Sequence, residues 1–173
     1  QLGSITDFPF LDPPDRRQIR DGTAVLVELG ALDDEGRLTE IGRRMARLPL
    51  DPHLARMVLA GQDGGCVREV VTIAAGLTIQ DPRERPQDQR QRADALHARF
   101  HDRRSDFLTL LNLYDHIVQT RRSTSGSGLR RACREQFLNY LRIREWQDLI
   151  GQLRDVLSDL GIPWSSDRDN HDA

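Results

Sequence analysis

At 173 residues, 38% hydrophobic and 30% charged, the chain suits one ordinary domain or two small ones sharing a core. No apolar run approaches the roughly 18 residues needed to cross a bilayer, and the first residues lack the basic stretch and apolar core of a signal peptide. Cys66 and Cys133 stand far apart without a CxxC pair, which argues against a zinc cage and for a reduced, cytoplasmic setting. The start at Gln1, without Met, reads as a cut from a longer protein.

The lead-in 5–12 (ITDFPFLD) reads as extended, because Pro9 bars a helix interior. Asp12 followed by Pro13 and Pro14 predicts a helix start, with Ile19, Val25, Leu26 and Leu29 as the buried stripe and Gly30 as the stop. Ala31 and Leu32, the turn Asp33-Asp34-Glu35-Gly36, then Arg37 and Leu38 predict a small β-hairpin. Thr39 caps a helix through about Leu48. Helix, hairpin and helix in this order resemble part of a winged helix; a complete one needs another helix, which would lie before residue 1.

Beyond Pro52 the pattern is helical nearly throughout. A helix over about 52–62 ends at Gly64 and Gly65. A very apolar helix over 66–79 is expected at the bundle centre, and Gln80 to Pro86 forms a proline-bounded loop. A polar helix covers about 87–100. Ser105 caps an amphipathic helix to about Gln119, Ser123 to Gly128 reads as a flexible loop, and helices follow over about 129–137 and 140–160. From Pro163 the polar tail to residue 173 reads as disordered.

Charge is distributed unevenly behind a net of -2. Residues 1–40 hold 4 Arg against 9 acids; 121–144 hold 7 Arg against Glu135 alone; 145–173 hold 2 Arg against 7 acids. A basic block inside an acidic chain points to a polyanion. All 25 basic residues are arginine, a bias that a GC-rich genome explains, yet each is a planar fork suited to phosphate. Phosphate-cradling loops, nucleophile elbows and HExxH helices are missing from the sequence, so no catalytic site is expected in it. His97 and His101, four apart, make two ligands without a third, and a structural or surface role outweighs a metal site.

The segments IQDPRERP (79–86), RFHDRRSDFLTLLN (99–112) and YLRIREWQDL (140–149), in order within a pattern running from about 5 to 162, resemble the C-terminal helicase-associated region of bacterial DEAH-box RNA helicases of the HrpA type. The resemblance implies a mainly α fold: a partial winged helix over 1–50 with its small β-hairpin, then a ratchet-like helical bundle over 51–162. It implies an accessory role beside RecA-like motor domains and an OB-like domain of the same parent chain. ATP and Mg would serve those motors, this region holding neither, and the parent would translocate on single-stranded RNA and unwind duplexes.

Guiding a flexible anionic strand calls for cations, backbone-directed donors and an occasional stacking surface. The candidates are Gln80, Arg83 and Arg85; His101 and Ser105 at a helix start; and Arg130, Arg131, Arg134, Asn139, Arg142 and Arg144, with Arg121, Arg122 and Gln136 in the same block. Arg83 and Arg85 could instead pair with Asp81, Glu84 or Asp88, and Arg142 and Arg144 with Glu145 and Asp148. Tyr140, Phe137, Phe100 and Phe107 read as core rather than stacking residues, and Trp146 as a packing anchor. Two other functions remain: a winged-helix DNA-binding regulator, disfavoured by the acidity before Glu40, and a purely protein-docking helical scaffold.

Overall fold

The computed structural model describes residues 15–166; the expected lead-in, the Asp12-Pro13-Pro14 helix start and the tail beyond Ser166 lie outside them. Among the described residues the secondary structure is almost entirely helical, and the chain divides into two compact units between Arg47 and Leu48.

In the first unit, α1 (Arg16–Glu28) is capped by Asp15, whose carboxylate accepts from the Arg17 N–H while the Gln18 side chain accepts from the Asp15 N–H. None of its residues is fully buried; Ile19, Val25 and Leu26 are half-covered. The turn after Gly30 is tied by Asp33, which accepts from the backbone and side chain of Arg37. It closes on a single antiparallel bridge, Leu32 to Leu38, and no strand forms among the described residues. Thr39 caps α2 (Glu40–Met45), a shorter helix than the spacing through Leu48 predicts. Gly42 lies so close to the Ala31 carbonyl that an added Cβ would clash with it.

The second unit is a helical bundle. Asp51 and Pro52 start α3 (Pro52–Ala60). Helix α4 (Val67–Thr78) buries seven residues and packs against α3, α6 (Asp106–Ser123) and α8 (Tyr140–Asp159), the central position its apolar composition predicts. Trp146 of α8 is fully buried and donates its indole N–H to the Thr72 carbonyl at 2.9 Å. The ring fits because Gly76 faces it; a Cβ there would meet the ring at 2.7 Å. The 87–100 segment is α5 (Arg90–His97) flanked by 3-10 turns.

Three further expectations change. The Ser/Gly stretch is not a flexible loop: Ser125 accepts from the Gly128 N–H and starts α7 (Gly126–Glu135), leaving only Thr124 and Ser125 as a link. A serine in capping position outweighs two glycines. Residues 163–166 are not loose: the Ser165 carbonyl accepts from the Arg68 N–H at 2.9 Å, and Ser166 donates to Glu69 at 2.6 Å. Phe107 is 48% exposed rather than core: it sits on the first turn of α6 and lines an open cavity with Gly76 and Leu77 of α4. Phe100 and Trp146 are buried as expected.

Candidate nucleic-acid interface

The loop at 81–84 and the junction between α7 and α8, distant in sequence, are one structure. The Glu84 N–H donates to the Phe137 carbonyl at 2.8 Å and the Asn139 N–H to the Pro82 carbonyl at 2.7 Å, around an antiparallel bridge between Arg83 and Leu138. Side chains lock the pairing: Asn139 Nδ2 donates to Glu84 Oε1 at 2.8 Å, and Arg142 donates to the Asp81 carbonyl at 2.8 Å. The junction borders an open cavity of about 580 Å³ lined by Glu84, Arg130, Arg134, Phe137, Asn139 and Tyr140, among others.

The end of α7 shapes this groove. Phe137 has φ 53, the one non-glycine in the left-handed region among the described residues. The Leu138 N–H returns to the Cys133 carbonyl at 2.8 Å, a helix ending whose left-handed residue is usually glycine. A side chain there costs about 1–2 kcal/mol, yet it gives the groove an aromatic face, with the Arg92 guanidinium 5.7 Å from the ring centre. Tyr140 provides a second face. Arg130 lies 5.0 Å from its ring centre, and a hydrogen bond from Arg144 holds its phenol below the ordinary tyrosine value despite an opposing push from burial. Tyr140 and Phe137 are therefore half-exposed groove residues, not core: both lie at the ends of helices, where the apolar spacing no longer reports what they face.

The expected site residues fall into distinct groups. Arg130 and Arg134 line the groove and make no ion pair among the described residues; Arg131 is exposed on the same helix, also without one. Arg144 reaches the groove through Tyr140. Asn139 and Arg142 are structural ties: besides its bond to Glu84, Asn139 caps α8 by accepting from the Arg142 N–H at 3.1 Å. Arg83 is held by Asp81, with its Nη2 2.8 Å from the carboxylate, and this bond raises its pKa against the effect of burial. For Asp81, burial pushes upward, but the bonds and charge of Arg83 win and hold it below the usual carboxylate range. Arg85 forms a two-bond pair with Asp94, at 2.6 and 2.7 Å, a partner nine residues away that local spacing did not suggest.

Gln80 is exposed beside Asp81. His101 is exposed, and Ser105 caps α6 by accepting from the Phe107 N–H; neither lines the groove. Gln136 is tied into the bundle through its oxygens: its side-chain carbonyl accepts from Arg99 and lies 2.8 Å from His116, while its backbone carbonyl accepts from His97. Arg121 and Arg122 line a different cavity, so the 121–144 block does not make one seam. The exposed Leu141 at the groove edge was missed; its place just inside an N-cap was the only signal available.

Two stretches match described families. Residues 24–50 match the helicase associated domain (HA2), winged-helix, and residues 51–110 match the helicase associated domain (HA2), ratchet-like. The chain belongs to the helicase-associated HA2 family. It is 50% identical over 171 residues to ATP-dependent RNA helicase HrpA of Escherichia coli K12, covering 96% of this chain and 13% of that protein. It is 45% identical to the HrpA homolog of Haemophilus influenzae, with 96% and 13% coverage. It is 34% identical over 152 residues to the pre-mRNA-splicing factor ATP-dependent RNA helicase prp22 of Schizosaccharomyces pombe, covering 88% of this chain and 12% of that protein. The chain thus spans a small part of each relative. Within this HA2 chain, α7, α8 and one wall of the groove lie beyond the ratchet-like match.

Proposed function

We propose that this chain is the accessory, strand-guiding region of an ATP-dependent DEAH-box RNA helicase, in which the groove at the α7–α8 junction holds the backbone of single-stranded RNA. In this reading residues 1–50, with the 31–38 turn as its wing, form part of a winged helix and 51–162 a ratchet-like bundle. RecA-like motor domains and an OB-like domain elsewhere in a longer cytoplasmic chain would flank it, with ATP and Mg bound at the motors. Translocation and duplex unwinding would belong to that whole chain.

The observation carrying the reading is the contrast in charge at the groove: Arg130 and Arg134 project from α7 without an ion pair among the described residues, beside the half-exposed rings of Phe137 and Tyr140. Unpaired guanidinium groups attract phosphate without reading sequence, and the rings offer stacking faces that tolerate any base. Glu84 also lines the groove, but its carboxylate is engaged by Asn139. The test is binding of single-stranded RNA to the wild-type chain and to an Arg130→Glu/Arg134→Glu variant across a salt series. Binding that is salt-insensitive, or unchanged in a natively folded variant, would dismiss the groove.

A duplex-reading role has less support. Helix α2 has six residues, and Arg43 is engaged by Glu40 and by the Leu38 carbonyl. A docking role is compatible with guiding: Leu77 and Phe107, 47% and 48% exposed, line one further cavity near Arg83 and suit contact with a neighbouring domain.

A further inference from the structure

The face of the bundle built by α4, α6 and α8 carries a second basic cavity, of about 620 Å³. Arg68, Arg121, Arg122 and Arg154 line it together with Tyr114 and Trp164, and no described lining residue is acidic. Arg121, Arg122 and Arg154 make no ion pair among the described residues, in contrast to Arg83, Arg85 and Arg104. Arg121 donates to Gln147 at 3.3 Å, and the Arg154 guanidinium lies 5.5 Å from the centre of the Trp164 ring. Four cations face one open volume, with aromatic surface beside them.

Gly151 is an independent observation. It sits inside α8, where glycine costs about 0.5–1 kcal/mol relative to alanine. Gly42 and Gly76 are required by close neighbours, but beyond the adjoining helix backbone no atom lies within 4 Å of the place a Gly151 Cβ would occupy. Gly151 is itself one of the residues that line the cavity, so the helix carries a poor helix former at its edge.

We propose that this cavity is a second anion site, separate from the α7–α8 groove, which takes the phosphate groups of a nucleic-acid strand on Arg121, Arg122 and Arg154, with Trp164 as the stacking face. Guanidinium forks suit phosphate oxygens, and the aromatic surface favours a nucleotide over a bare carboxylate. The site does not depend on the groove being an RNA site, because it shares no residue with it.

The test uses the 173-residue chain and the emission of Trp164, with Trp164→Phe as control, since Trp146 is fully buried. The probes are an oligouridylate of about a dozen nucleotides, inorganic pyrophosphate, and a polyaspartate peptide of equal charge. Salt-sensitive quenching by the oligonucleotide, with or without a response to pyrophosphate, is the expected result. The pyrophosphate arm decides whether a free phosphate group suffices or a continuous strand is needed. Arg121→Gln/Arg154→Gln and Gly151→Leu are expected to weaken the response about tenfold or more with helical content intact, while Gly151→Ala melts no lower than wild type. The proposal is overturned if neither phosphate probe quenches, if Arg121→Gln/Arg154→Gln or Gly151→Leu responds like wild type, or if polyaspartate quenches as well as the oligonucleotide.

Discussion

The two segments that meet at the α7–α8 junction are built from similar residues to opposite effect. On the loop side, Arg83 and Arg85 alternate with Asp81 and Glu84, and each guanidinium meets a carboxylate: Asp81 two residues back, Asp94 nine residues on. On the α7 side, Arg130, Arg131 and Arg134 share their helix with a single acid, Glu135. The loop arginines close a structure; those of α7 remain available to a ligand. The number of arginines in a stretch matters less than whether carboxylates stand within reach of them.

The largest effect expected from this contrast is on binding. Arg130→Glu/Arg134→Glu should weaken single-stranded RNA binding about tenfold or more near 0.1 M salt, and flatten the dependence of log affinity on log salt by roughly 0.7 for each phosphate no longer neutralised. Fluorescence anisotropy measures both, and the melting temperature should stay close to wild type. If stability falls instead, the α7 side is also structural and the contrast fails.

On the loop side the prediction reverses. Asp81→Asn leaves the half-buried Arg83 without its carboxylate and should cost about 1 kcal/mol, measured by urea unfolding, with little change in RNA affinity. The sign with pH follows from the lowered pKa of Asp81: its contribution is complete above the ordinary value of 3.8 and is lost as pH falls below it. The variant should therefore lose less stability than wild type on acidification from pH 5.

Arg85→Gln breaks an exposed, solvent-screened pair and should leave the melting temperature close to wild type, with RNA affinity nearly unchanged. A marked loss of affinity would move Arg85 into the ligand-facing group. The smallest effect is a control at another compensated arginine. Hydrogen bonds from Arg104 lower Asp102 to about 2, so an NMR titration should find its carboxylate still ionised at pH 3. A midpoint near 4 would mean that the Arg104 pairing does not hold in solution.

Much of this protein could be read from local patterns. The central apolar helix α4, the caps at Thr39 and Ser105, the helical run after Pro52 and the anchoring role of Trp146 each follow from residues within a turn or two of one another. Such rules work because helix periodicity and capping depend on neighbours in sequence. The segments between 79 and 149 also carried enough of the family pattern to point to the HA2 family.

The functional surface was less legible, because charge compensation is a property of space. Nothing near Arg85 in sequence names Asp94, and nothing in the 121–144 block says that Arg121 and Arg122 turn to one face of the bundle while Arg130 and Arg134 turn to another. Phe137 illustrates the same limit: its left-handed backbone follows from how α7 ends against the 81–84 loop, so an aromatic residue that reads as core becomes a groove wall. The sequence determined which helices form and which faces they bury, since local hydrogen bonding and apolar spacing set both. Only the tertiary fold decided that Arg85 meets Asp94, nine residues on, that Arg142 reaches the Asp81 carbonyl, 61 residues away, and that the α7 arginines form no ion pair among the described residues, since these depend on distances between segments and not on neighbours in sequence.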